Sequence, residues 1–240
     1  MIKLITFDLD NTLWHADPVL IRAEQRLYDW LKSNCPELTD KHSKESMRQF
    51  KANVAKANPA LKHKVSVLRL EAIKLSLQDV GYDEKSAMLQ AQRAFEVFHW
   101  ARQQVNFFDH TLHVLNELKK YYRLAALTNG NADVSVIGLD RYFEFSLSAE
   151  SVGKQKPAPD MFLMALDHAN VAAEEVVHIG DHPEHDIMGA NRVGFHTIWV
   201  NFEAANWSDI APSLSPPTAE ANCLSEIPKL VAQIAEGSYK

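Results

Sequence analysis

With 240 residues, 46% hydrophobic and 23% charged, the chain is long enough for one large domain, or a domain carrying an insertion, around a substantial core. Its formal net charge of −6 leaves no electrostatic footprint for nucleic acid or an anionic membrane, and no apolar run approaches bilayer-spanning length. Cys35 and Cys223 are far apart and lack metal-ligand spacing, which argues against a disulfide framework and suits a reducing cytoplasm; with the first strand starting at Ile2, no cleaved signal segment is expected.

The apolar run from Ile2 to Phe7 reads as a buried parallel strand that stops in Asp8-Leu9-Asp10-Asn11-Thr12. Side chains repeat every second residue along a strand, so Asp8 and Asp10 share one side of its axis. Carboxylates that close repel unless a cation or a shared proton reconciles them, although acids at a strand end also serve as plain helix caps. Pro18 suits the first turn of a helix to about residue 32. No strand is expected from there to about residue 102. Helical spacing recurs instead over residues 44–57, then at Val65, Leu68, Ala72 and Leu75, with Leu77 or Val80 before the stop at Gly81. Asp83 caps a further helix carrying Ala87, Ala91, Ala94, Phe95 and Phe98. Residues 15–105 are therefore expected to form a helical bundle inserted into a host made of 1–14 and 106–240.

The host resumes with a predicted amphipathic helix over 110–120, whose buried stripe is read as Leu112, Leu115 and Leu118. A short strand over 122–127 ends at Thr128-Asn129-Gly130-Asn131. Strands are expected over 145–148, 175–179 and 195–200, helices over 159–170 and 186–193, a meander over 203–222 and a last helix over 224–234. Alternation of this kind implies parallel βαβ units, so the fold class is α/β, a Rossmann-like parallel sheet. Polar loops after successive strands then gather at one edge of that sheet. They are Thr128-Asn129, Lys154-Gln155-Lys156-Pro157, and Gly180-Asp181 with Asp186 five residues on.

In that order, DxDxT at 8–12, Thr after a hydrophobic strand at 128, GxxKP at 153–157 and GDxxxxD at 180–186, the chain resembles the haloacid dehalogenase-like hydrolase superfamily. The resemblance implies a Mg²⁺-dependent phosphomonoesterase. Two unit charges ~4 Å apart interact by about 4 kcal/mol at an effective dielectric of 20, so a carboxylate approaching a phosphate ester needs a bound cation. By the same resemblance, Asp8 and Asp181 supply carboxylates to Mg²⁺, the backbone carbonyl of Asp10 is the third ligand, and Asp186 acts from behind them. Asp8 is the implied nucleophile, Asp10 the general acid and base, and Thr128, the backbone N–H of Asn129 and Lys156 the holders of the phosphoryl group. Lys156 matches the lysine before Pro157; Lys154 is its rival. His182 and His185 invite a zinc reading, but the gathered donors are oxygens, so these are expected to be surface histidines.

The dehalogenases that the chain resembles in fold lack an acid two residues after the nucleophile and need no Mg²⁺, so the resemblance, with Asp10 and the metal-site Asp181 both present, points to phosphoryl transfer. The inserted bundle resembles the cap of the capped phosphatases. Residues 127–131, 138–145 and 180–190 look most like a bacterial group that hydrolyses flavin mononucleotide and a phosphorylated ribitylaminouracil precursor of riboflavin. On that likeness the partner is a small phosphorylated metabolite. Lys62, His63, Lys64 and Arg69 in the cap are candidate substrate contacts, and Trp14 a candidate stacking surface, against the plainer reading of a solvated helix face. Alternatives are a phosphotransferase or sugar-phosphate mutase using the same aspartyl phosphate, or a non-catalytic phosphate-binding regulatory module.

Overall fold

Leu4–Phe7 forms β1, buried along its whole length, as a strand at the middle of a parallel sheet must be. In the computed structural model, which describes residues 1–238, five helices follow: α1 (Ala16–Asn34), α2 (Pro36–Lys41), α3 (Lys44–Ala57), α4 (Val65–Asp79) and α5 (Glu84–Arg102). Then come α6 (Thr111–Leu118), β2 (Arg123–Thr128), α7 (Val134–Ile137), β3 (Phe145–Ser148), α8 (Ala149–Val152), α9 (Asp160–Ala169) and β4 (Val176–Gly180). A π-helical turn over Pro183–Met188 leads into α10 (Gly189–Arg192), followed by β5 (His196–Val200), α11 (Trp207–Ile210), β6 (Ala219–Ala221) and α12 (Ile227–Ala235).

The strands pair in parallel in the order β3-β2-β1-β4-β5-β6. From β1 the chain adds β2 and β3 on one side, then returns to place β4 against the other side. That reversal makes a switch point between β1 and β4, and in open α/β sheets the crevice for ligands lies outside the carboxyl ends of the strands at such a point. Phe7 stands in register with Ala126 and Ile179, and the Asp8 N–H donates to the Ile179 carbonyl at 2.8 Å. The residues that follow β1 and β4 are therefore held side by side.

One face of the sheet buries Leu4, Leu127 and Val176 against Met161, Phe162 and Ala165 of α9. Burying a Phe side chain fully contributes about 1.5–3 kcal/mol, so Phe162 alone anchors α9 strongly. Helix α6 buries Thr111, Val114, Leu115 and Leu118, whereas Leu112 is 39% exposed. Its apolar face is thus turned from the expected stripe, with Val114 in place of Leu112. The expected meander contains β6, an edge strand whose three residues, Ala-Glu-Ala, carry almost no strand signal.

Contacts divide the chain into two compact units, Met1–His15 with the chain from Asn106 onward, and Ala16–Val105. In the second unit, Ala23, Leu27 and Leu31 of α1 pack with Ala87, Ala91, Ala94 and Phe98 of α5. Asp83 caps α5 by accepting from the Lys85 and Ser86 N–H groups at 3.0 and 3.1 Å, and Gly81, at φ +96°, turns the chain out of α4. Arg69 belongs to the interior of this unit. Its guanidinium lies 3.7 Å over the Phe98 ring and 3.5 Å from the Glu24 carboxylate, with 13% of the side chain exposed. As a substrate contact Arg69 is therefore a misreading: its charge is spent on Glu24 and its plane on Phe98.

Glu24 also accepts from Arg48 at 2.9 Å. Burial pushes its carboxyl up, but the Arg48 hydrogen bond and the charges of Arg69, Arg48 and Lys51 outweigh that and hold it below its ordinary 4.5. A carboxyl lowered by folding stabilises the fold above about pH 4.5 and loses that contribution as pH falls through its folded value. Glu24→Gln should cost about 1 kcal/mol in urea titrations at pH 7 and progressively less as the pH is lowered below about 4.5. A cost that does not change with pH would contradict the ion-pair origin.

Candidate active site

The Lys156 ammonium, 1% exposed, sits among three oxygens: Asp8 Oδ1 at 2.7 Å, Asp186 Oδ1 at 2.6 Å and the Leu127 carbonyl at 2.6 Å. An ammonium has three N–H groups, and here each has an acceptor, the condition under which a buried charge is tolerated. Lys154 is exposed. The Lys156 loop is pinned by Asn129, whose Oδ1 accepts from the Lys156 N–H at 2.8 Å and whose Nδ2 donates to the Lys156 carbonyl at 3.0 Å. Burial alone would lower the Lys156 pKa, but the charges of Asp186 and Asp8 more than reverse this and keep the ammonium protonated.

Asp8, Asp181 and Asp186 each place a carboxylate oxygen within 4.8 Å of the others. Thr12 ties the group together, its hydroxyl donating to Asp181 Oδ1 at 3.2 Å with Asp8 Oδ2 at 3.5 Å, and the Trp199 indole N–H holds the Asp181 carbonyl at 2.8 Å. Three carboxylates thus face one ammonium. Burial, reinforced by Asp186 and Asp181 against the pull of Lys156, pushes Asp8 well above the ordinary carboxylate range. Burial and the charge of Asp186 raise Asp181 to about 7. Asp186 goes the other way: burial would raise it, but Lys156 and His178 hold it far below its usual value. A buried all-oxygen set one cation short of neutrality fits a hard divalent ion, for which Asp8, Asp181 and Asp186 are the available carboxylates.

Thr128 is buried beside this set and its hydroxyl accepts from the Gly130 N–H at 3.0 Å. Asp10 is half-buried, and its Oδ1 accepts from the Trp14 indole N–H at 2.9 Å. Trp14 has no exposed surface, so its ring is unavailable for stacking on a ligand. His182 accepts the Glu184 and His185 N–H groups on Nδ1, and its ring stacks on His185 at 3.9 Å; its Nδ1 is spent as a cap. A polar crevice of about 160 Å³ is lined by Asp8, Asp10, Thr128, Asn129, Lys156, Asp181 and Asp186, so the residues assigned from the motifs meet there, and His182 and His185, expected on the plain surface, also line it.

Sequence reading passed over His178. It is fully buried in β4, pairing through Nδ1 with the Thr6 hydroxyl at 2.8 Å and through Nε2 with Asp186 Oδ1 at 3.2 Å. Its signal was a lone polar residue inside an apolar strand, which must find partners when buried. Gly180 has a comparable job. A Cβ there would stand 2.4 Å from Asp186 Cγ, so the Asp186 carboxylate reaches Lys156 only over a residue without a side chain. Gly180→Ala should cost about 1–3 kcal/mol of stability by overpacking and lower turnover about 10–100-fold by displacing Asp186. Chemical denaturation beside steady-state kinetics checks both; an unchanged rate would contradict the role given to Asp186.

Residues 2–194 match the family model described as haloacid dehalogenase-like hydrolase. The chain is 31% identical over 230 residues to the 5-amino-6-(5-phospho-D-ribitylamino)uracil phosphatase YigB of Escherichia coli (strain K12), covering 96% of each chain. It is 25% identical over 219 residues to a glyceraldehyde 3-phosphate phosphatase of Methanopyrus kandleri, covering 88% of each. Among solved structures, one described as a 2-haloacid dehalogenase from Pseudomonas syringae pv. Tomato DC3000 superposes with a TM-score of 0.91 at 42% identity, over 97% of this chain and 99% of that one. A family match over most of the length, on a parallel sheet whose strand ends carry the family's motifs, makes this chain an enzyme of the haloacid dehalogenase-like hydrolase family.

Proposed function

We propose that the chain is a Mg²⁺-dependent phosphomonoesterase that forms an aspartyl phosphate on Asp8 and acts on a small phosphorylated metabolite of the cytoplasm. The observation that carries this reading is the Asp8 carboxylate, held 2.7 Å from the Lys156 ammonium in a crevice that also contains Thr128, Asp181 and, two residues on, Asp10. A divalent ion on Asp8, Asp181 and the Asp10 backbone carbonyl would neutralise charge on the phosphoryl oxygens.

The steps follow from the chain's own groups. Lys156 fixes the rotation of Asp8 through Oδ1 and offsets its charge, so that an anionic carboxylate meets an anionic ester at reduced cost. An Asp8 oxygen attacks phosphorus, the ester P–O bond breaks, and Asp10 gives its proton to the departing alcohol oxygen. Asp10, now a carboxylate, takes a proton from the water that attacks phosphorus in the second step, releasing inorganic phosphate and restoring Asp8. The Thr128 hydroxyl and the Asn129 backbone N–H donate to the equatorial oxygens, where charge accumulates. Asp186 keeps Lys156 in place throughout.

The 42% identical solved structure bears a dehalogenase description, so halide displacement is the second reading. Halide leaves without a proton, which would give Asp10 no task, and a halide reaction offers no use for the extra negative charge around Asp8. A phosphate ester gives Asp10 a leaving oxygen to protonate, and the surplus carboxylates would hold the cation that an anionic ester needs. The likeness to the YigB phosphatase supports the phosphorylated ribitylaminouracil precursor as substrate, and flavin mononucleotide is proposed beside it as a phosphomonoester of related structure. Purified enzyme should release inorganic phosphate from flavin mononucleotide with Mg²⁺, lose this with chelator, and fall by about 10³-fold or more in Asp8→Asn. Chloride release from 2-chloropropionate in the presence of chelator would overturn the reading.

A further inference from the structure

We infer that Trp14 is a positioning residue for Asp10, fixing the orientation of its carboxyl group toward the crevice. The inference rests on the acid and base role proposed for Asp10 above. The loop after β1 doubles back within four residues: Asn11 adopts φ +62°, its N–H donates to the Trp14 carbonyl at 2.7 Å, and the Leu13 N–H donates to the Leu9 carbonyl at 2.9 Å. This reversal lays the indole against Asp10, with Nε1 2.9 Å from Oδ1. The ring is itself clamped. Phe107 packs on it edge-on with centroids 6.0 Å apart, and the preceding Leu13 carbonyl accepts from the Phe108 N–H at 2.9 Å and the Thr111 hydroxyl at 3.2 Å.

A buried indole N–H needs an acceptor, and a backbone carbonyl serves this as well as any other group. Here the acceptor is the carboxylate that lines the crevice. Torsion about the Cβ–Cγ bond of an aspartate is broad, so an untethered carboxyl spreads over many rotations. With Oδ1 accepting from Trp14, the carboxyl plane is set, and Oδ2 is the oxygen not engaged by the indole. That oxygen is the one which must meet the leaving group, and then the water, at hydrogen-bond distance. Trp14 therefore acts through Asp10 and touches no substrate.

General acid catalysis matters most when the leaving oxygen is poor, which separates this role from packing. The kcat/KM values for glycerol 2-phosphate and p-nitrophenyl phosphate are compared in wild type, Asp10→Asn, Trp14→Phe and the double variant. Asp10→Asn should lose far more on the alkyl ester. Trp14→Phe should lose about tenfold on the alkyl ester and less than about twofold on the aryl ester, and should add nothing to Asp10→Asn. Equal losses on both esters, or additive losses in the double variant, would overturn the inference while leaving Asp10 as the acid. An Asp10→Asn variant that treats both esters alike would remove the acid role, and the inference with it. The bond can also be read without changing the tryptophan. In ¹⁵N-tryptophan spectra of the five indoles, Asp10→Ala should shift the Trp14 N–H and speed its exchange, and an unmoved signal would exclude the bond.

Discussion

Everything at the site depends on one buried ammonium. Lys156 comes from the loop after α8, Asp8 from the end of β1, Leu127 from β2 and Asp186 from the turn after β4, and a single Nζ bonds to all three partners at 2.6–2.7 Å. Leaving a buried charge without partners costs about 3–5 kcal/mol, so these segments are held together as firmly as by an apolar contact, and with a fixed geometry that apolar packing lacks. The strand order makes this possible, because β1 has β2 on one side and β4 on the other. Asn129 and Gly180 serve the same end, one pinning the lysine backbone and the other giving the Asp186 carboxylate room.

The charge imbalance around that ammonium gives the site its chemistry. Asp8, Asp181 and Asp186 outnumber Lys156 three to one in a buried setting, and burial together with mutual repulsion drives Asp8 and Asp181 toward their protonated forms. A carboxylate nucleophile must be ionised to attack, so the set is complete only when further positive charge is supplied. A bound divalent cation, as proposed, would supply that charge, and a phosphate ester would need the same cation. Relatives of this chain are named for phosphate esters, and a similar solved structure is named for haloacids.

The crevice was legible in the sequence because its residues stand at strand ends, where an apolar run breaks into acids, a threonine or a glycine. Strand-end position gathers Asp8, Asp10, Thr128, Lys156, Asp181 and Asp186, the resemblance of their ordered motifs to the family implies their roles, and burial in the structure then separates Lys156 from the exposed Lys154. What escaped were pairings that only tertiary structure reveals. Trp14 and Arg69 stood as candidate ligand contacts against a plainer reading, because aromatic and basic residues near a site look alike whether they face a ligand or a neighbour; Asp10, Glu24 and Phe98 are their partners. His178 looked like an interruption in a strand and is the second partner of Asp186. Leu112 and Val114 exchanged places because two apolar faces of α6 compete and packing, not periodicity, chooses between them.

Trapping the covalent intermediate tests the central claim most directly. Enzyme mixed with Mg²⁺ and flavin mononucleotide, quenched within a turnover and treated with borohydride, should yield homoserine in place of aspartate at position 8, since borohydride reduces acyl phosphates and spares free carboxylates. Reduction should vanish when substrate is omitted or chelator is added. Homoserine at any other position, or phosphate release with no reducible intermediate at Asp8, would contradict the claim that this carboxylate attacks phosphorus.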